Sequence, residues 1–164
     1  MYNRSLFLIV AFAGILSLFP QHDAEASDFG RSVSSLKGLV ALKVVVEQLD
    51  PKVEGNGITQ KQLETDVELR LRQAGVNVSE QASALLYANV AVLCGDFACA
   101  YNISLDLQQA VRLVMRPDAG TMPAATWNSG ITGLLKGHNL EPVRKTLKDQ
   151  VDQFLNSYLA ANPK

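Results

Sequence analysis

The chain has 164 residues, with 15 basic and 16 acidic side chains and a net charge of −1. So even a balance argues against a nucleic-acid partner, which calls for a basic face, and it offers no polybasic patch to anionic lipid. The length suits one domain with a core of its own, and neither internal repeats nor low-complexity tracts interrupt it.

The N-terminus reads as a secretory signal peptide over residues 1–26. Arg4 supplies the positive charge, Leu6 to Phe19 is an unbroken run of apolar or small residues, and Pro20 breaks it. Ala24-Glu25-Ala26 then gives an A-x-A cleavage site, placing the cut between Ala26 and Ser27. The apolar run is shorter than the roughly 20 residues that a spanning helix needs. No cysteine stands at its end to accept a lipid anchor. Cleavage removes Arg4, Asp23 and Glu25, which leaves 14 residues of each sign and no net charge.

Residues 27–38 read as a flexible, Ser- and Gly-containing lead-in, and 39–162 as a single α/β domain. Leu39 to Leu49 is the first strand, with Val40, Leu42, Val44 and Val46 on one side and Lys43 and Glu47 on the other. Asp50-Pro51 ends it and a loop runs to Gly57. The first helix starts at Thr59, an N-cap that forms a capping box with Gln62, and Ile58 with Leu63 supplies a hydrophobic staple. Leu63, Val67, Leu71 and Ala74 form its apolar stripe. Asp66 with Arg70, and Glu68 with Arg72, are spaced as surface ion pairs. Gly75 ends the helix in a left-handed position, with Val76 as the following apolar contact. Leu69 points away from the stripe for no evident reason.

Ala82 to Cys94 is the second strand, and the third begins at Phe97 and continues toward Met115. If Gly95-Asp96-Phe97-Ala98 makes the turn, Cys94 faces Cys99, Val92 faces Tyr101 and Val90 faces Ile103. That register puts Leu86, Ala88, Val90 and Val92 on the same side as Phe97, Cys99, Tyr101, Ile103, Leu105 and Leu107, and a slip of one residue would destroy the match. Residues 116–123 read as a loop. Ala124 to Leu135 is a weaker fourth strand in which Gly130 and Gly133 mark weak points or a bulge. After a turn at Gly137-His138-Asn139, the second helix runs from about Pro142 to Ala161, with a stripe of Val143, Leu147, Val151, Phe154 and Tyr158, widened by Leu155 and Leu159. The expected class is α+β: a two-layer α/β sandwich, a four-stranded, mainly antiparallel sheet with two helices on one face, in the order β-α-β-β-β-α.

Four features bear on chemistry. Cys94 and Cys99 are placed for a disulfide in an exported protein; the spacing is neither the C-x-x-C of a redox site nor a zinc site, and no metal or other cofactor is expected. His138, the single histidine left after cleavage, sits in a Gly-flanked turn without a nucleophile nearby in sequence and reads as a surface residue. Trp127 shares parity with Ile131, which favours a core anchor over the alternative of a contact hot spot. Tyr87, Asn89, Asn102, Ser104, Asp106 and Gln108 line the other face of the hairpin, where they form a solvated surface or, with Trp127, a binding surface. Asn56-Gly57 and Gly130-x-x-Gly133 match no phosphate-cradling loop. The sequons Asn77-Val78-Ser79 and Asn102-Ile103-Ser104 matter only in a eukaryotic secretory pathway.

The element order resembles small exported bacterial proteins of the lipopolysaccharide-assembly lipoprotein type and the N-terminal domain of the Tol–Pal translocation protein, without the lipobox cysteine of the former. Leu71-Arg72-Gln73-Ala74-Gly75 and Ala125-Thr126-Trp127-Asn128 also look like exported bacterial proteins of unknown function. The resemblance implies an envelope-facing interaction module. The expected protein is therefore a periplasmic or secreted, non-enzymatic binding module for an envelope protein or small ligand, with no nucleic acid and no membrane span after cleavage. The alternative is a small exported hydrolase using Asp106 or His138. A concave pocket gathering two or more of His138, Asp106, Asp118 and Glu47 would favour the alternative.

Overall fold

The computed structural model describes residues 32–163. The signal-peptide reading of 1–26 lies outside them. Strand β1 spans Ala41–Val46, followed by a one-turn helix α1 (Pro51–Glu54), helix α2 (Gln60–Gln73) and a two-residue strand β2 (Asn77–Val78). Strands β3 (Leu85–Cys94), β4 (Ala98–Arg112) and β5 (Thr121–Lys136) come next, and helix α3 (Glu141–Ala161) closes the chain. The sheet has five strands in the order β2-β1-β3-β4-β5. The four-stranded sheet expected from sequence is thus corrected by β2, too short to show periodicity. Residues 51–54, expected in a loop, make α1 because the Asp50 side chain accepts the Lys52 N–H at 2.8 Å and Pro51 opens the turn.

The β3–β4 hairpin has the register its alternation requires: Val90 faces Ile103, Val92 faces Tyr101 and Cys94 faces Cys99. Its inward side joins Leu42, Val44 and Val46 of β1, which runs parallel to β3, and Trp127 of β5. Parallel pairing needs a crossover, and α2 supplies it while covering the same face. Val40 and Phe97 share the expected parity but not the burial; they lie beyond the covered part of the sheet and are 81% and 87% exposed. Ile131 and Leu159 are likewise at the margin and exposed.

Helix α2 begins as the sequence reads. Thr59 Oγ1 accepts the Gln62 N–H at 3.2 Å and Gln62 Oε1 accepts the Thr59 N–H at 3.0 Å. Leu63, Val67 and Leu71 are buried, Gly75 takes φ +84°, and the Val76 N–H reaches back to the Leu71 carbonyl at 3.0 Å. Glu68 pairs with Arg72 at 3.1 Å, but Asp66 does not pair with Arg70. Arg144 of α3 forks onto the Asp66 carboxylate, which Lys148 also approaches at 3.3 Å, and Arg70 reaches Asp152. The two helices lie side by side, so partners on the facing helix replace the expected neighbour one turn away. Leu69 stays exposed.

In α3, Val143, Leu147, Val151, Phe154 and Leu155 are buried, and the Phe154 ring meets Trp127 edge-on at 5.2 Å. Such a pair adds about 1 kcal/mol to simple area burial. Within the expected lead-in, Leu36 is fully buried, its carbonyl accepts from Asn162 Nδ2 at 2.9 Å, and Ser35 Oγ donates to the Thr126 carbonyl at 2.9 Å.

β5 is longer than expected, its start extending into the expected loop. The irregularity lies at neither glycine. Leu107 faces Trp127 while Gln108 faces Ala125, so Thr126 is the extra residue of a bulge. Gly133 has another role: a Cβ there would come within 2.4 Å of the Tyr101 ring lying across it.

The Asp66 contacts set a pH dependence. The Arg144 guanidinium holds this carboxyl below its ordinary value, with Lys148 adding to the effect. Its folded-state pKa is below the unfolded one, so its contribution is complete above about 3.9, the ordinary aspartate value, and is lost as pH falls through the folded value. We expect Asp66→Asn to cost about 1.5 kcal/mol at neutral pH by urea denaturation, and the gap from the parent protein to close in acid.

Candidate functional site

Both long helices pack on one side of the sheet, which leaves the other side open among the described residues. Strict alternation then decides which side chains stand on it. Tyr87 faces Asp106, which faces Asn128; Asn89 faces Ser104; Ala91 faces Asn102, which faces Thr132. Four of the residues expected from sequence, Tyr87, Asn89, Asn102 and Asp106, are therefore brought onto one surface. Trp127 is not among them: it is 3% exposed, on the opposite side, beneath α3.

The open face is held together by its own hydrogen bonds. Asn89 Nδ2 donates to the Glu47 carboxylate at the end of β1, and the Tyr87 hydroxyl interacts with the same carboxylate. Asn102 Nδ2 donates to Thr132 Oγ1 at 2.9 Å. The Glu47 bond holds the Tyr87 phenol above its ordinary range, with desolvation acting in the same direction. Partial burial pushes the Asp106 carboxyl up, and no salt bridge to it is found among the described residues. Glu47 is the member that sequence reading left out of the set. Its parity placed it on this side, but only the parallel β1–β3 pairing brings it beside Asn89, and no local signal announces that pairing.

Toward the hairpin tip the same face becomes apolar. Leu93, Ala100 and Leu134 stand in one row across β3, β4 and β5, and the two leucines are exposed. At the other end, a cleft of about 530 Å³ is lined by Lys37, Gln81, Ser83 and Gln109 among others, and one of about 280 Å³ by Leu85, Gln108, Thr121 and Met122 among others. Two more clefts lie between α2 and Arg144 and beside Cys94. None of these four is lined by His138, Asp106, Asp118 or Glu47.

The tip itself carries a second grouping. Cys94 and Cys99 are joined in a disulfide with Cα atoms 4.0 Å apart. β5 ends beside it, where the Gly137 N–H donates to the Phe97 carbonyl at 2.9 Å. Gly137 has φ +72°, a conformation that favours glycine, and this turn lays His138 over the tip with Nε2 3.0 Å from the Gly95 carbonyl oxygen. His138 is exposed, as expected of a surface turn, but it is not isolated: a ring nitrogen and both sulfurs lie within 4.8 Å of one another. With the sulfurs bonded to each other, neither is a thiolate ligand.

No protein-family profile matches the chain, and neither does any curated protein sequence. Among the solved structures to which the chain shows a distant similarity are the following two. A PelC dodecamer from Paraburkholderia phytofirmans is 16% identical over 74% of this chain and 86% of that one, with a TM-score of 0.36. A minor lipoprotein from Acinetobacter baumannii is 12% identical over 75% of this chain and 93% of that one, with a TM-score of 0.32. No helix among the described residues is long and apolar enough to cross a membrane.

The raised Asp106 gives a prediction of opposite sign to that for Asp66. A carboxyl whose folded pKa exceeds its unfolded one costs stability once it ionises. Asp106→Asn is expected to raise the thermal midpoint at neutral pH by about a degree or two, with no gain in acid where the native carboxyl is already protonated.

Proposed function

We propose that this chain is an extracytoplasmic, non-enzymatic interaction module of the cell envelope, with the open sheet face around Tyr87, Asn89, Asn102 and Asp106 as its contact surface. The observation that carries this reading is the asymmetry of the sheet. Two helices cover one side, while the other presents an ordered polar network merging into an exposed apolar row. Apolar area framed by polar groups with fixed hydrogen bonds is the usual composition of a protein-contact surface. The Cys94–Cys99 bridge supports a location in an oxidising compartment, in keeping with the signal-like N-terminus.

A hydrolytic reading through Asp106 and His138 has no comparable support. His138 lies at the Cys94–Cys99 end of the hairpin, and Asp106 is seven residues farther along β4 than Cys99. At about 3.4 Å per residue that is roughly 24 Å, too far for one group to act on the other's proton.

A photo-reactive residue placed at Asn102 is expected to yield cross-linked adducts in intact envelopes of producing cells. The same residue at Leu69, exposed on α2, is expected to yield few. Equal labelling at both positions, or labelling at Leu69 alone, would contradict the assignment of the open face.

A further inference from the structure

We infer that the hairpin tip is a redox-gated site for a thiophilic d10 cation, Zn2+ or Cu+, formed by Cys94, Cys99 and His138 when their disulfide is reduced. The placement of the three side chains and the chemistry of their donor atoms agree there. The two sulfurs and an imidazole nitrogen already lie within 4.8 Å of one another. Metal–sulfur and metal–nitrogen bonds of about 2.3 and 2.0 Å place ligand atoms somewhat under 4 Å apart, so side-chain rotation is enough to seat an ion. Two thiolates with one imidazole are the donor set that Zn2+ and Cu+ share.

The surroundings suit the ligands. The Gly95 carbonyl can only accept, so the neutral His138 ring keeps its proton on Nε2 and its lone pair on Nδ1. A metal-bound histidine typically gives its second N–H to such a carbonyl, which fixes the ring. Cys99 Sγ lies 3.3 Å from the Gly137 carbonyl oxygen, which would accept the thiol hydrogen after reduction. Backbone bonds across the tip, Gly95 N–H to Ala98 O at 2.9 Å and Gly137 N–H to Phe97 O at 2.9 Å, do not involve the bridge, so the three residues stay together once it opens.

Gating follows from the sulfur chemistry. A dithiol reductant attacks Cys94 Sγ, since Cys94 lines a cleft of about 160 Å³ beside α1, whereas Cys99 is buried. The S–S bond breaks and Cys99 leaves as thiolate. The second thiol of the reductant then resolves the mixed disulfide, so two electrons and two protons pass to the protein and the reductant becomes the disulfide. The cation displaces both thiol protons as it binds. A bound ion blocks re-formation of the bridge, and the bridge excludes the ion.

The test uses the mature chain, reduced with a dithiol, desalted without oxygen and titrated with Co2+ as an optical reporter. Zn2+ and Cu+ then compete in separate arms that identify the preferred ion. Expected are one ion per chain with thiolate-to-cobalt charge-transfer absorption, none in the oxidised protein, and at least about tenfold weaker binding in His138→Ala, the loss of one ligand. Unchanged Trp127 emission reports that the reduced protein and the variant remain folded. The inference is overturned if the reduced chain binds no ion or unfolds, if His138→Ala binds as tightly as the parent, or if one ion is shared by two chains.

Discussion

The register of the β3–β4 hairpin is the constraint on which the rest of the structure depends. Side chains alternate across a strand, so a shift of one residue would turn Leu86, Ala88 and Val90 outward and present Tyr87 and Asn89 to the core. Opposite them, Leu107, Leu105 and Ile103 are all fully buried, and every one has an apolar partner on β3. At about 25 cal/mol per Å² of apolar surface, losing several such pairs together would exceed the net stability of a domain this size. The disulfide closes so short a loop that it contributes little entropy. It marks the register more than it enforces it.

From that register the two sides of the sheet acquire different roles. The inner side, to which β1 contributes Leu42, Val44 and Val46, accepts both helices, which are fastened to each other by Asp66 with Arg144 and by Asp152 with Arg70. Trp127 joins this layer against Phe154 because its pairing with Leu107 keeps the parity by which Ile131 faces Ile103. The outer side is left with the residues whose alternation put them there, and the Glu47, Tyr87 and Asn89 contacts give them fixed positions without covering them. A surface that is ordered in the absence of a partner loses less side-chain entropy when one docks.

What could be read from the sequence was what short-range rules govern. The capping box at Thr59, the left-handed Gly75 and the pairing of Cys94 with Cys99 each depend on residues a few positions apart, and each is present. The polar face was legible for the same reason, since Tyr87, Asn89, Asn102 and Asp106 follow from parity alone. What was not legible depends on distant pairing. Glu47 reaches Asn89 only through the parallel β1–β3 contact, and Asp66 finds Arg144 only because α2 and α3 lie side by side. His138 meets the Cys94–Cys99 pair only once the β4–β5 register and the Gly137 turn are both in place. Leu36 was lost in a Ser- and Gly-containing segment whose composition concealed one core residue.

The register can be tested by proton NMR of the native protein. Directly opposed residues in an antiparallel pair alternate between wide and narrow separations, and Cys94 with Cys99, at 4.0 Å between Cα atoms, is a narrow pair. Stepping by two, Val92 with Tyr101 and Val90 with Ile103 belong to the same class and should show strong Hα–Hα cross-peaks. Cross-peaks joining Val90 to Asn102 or to Ser104 instead would mean a shifted register, and with it the loss of both the core side and the open face as described.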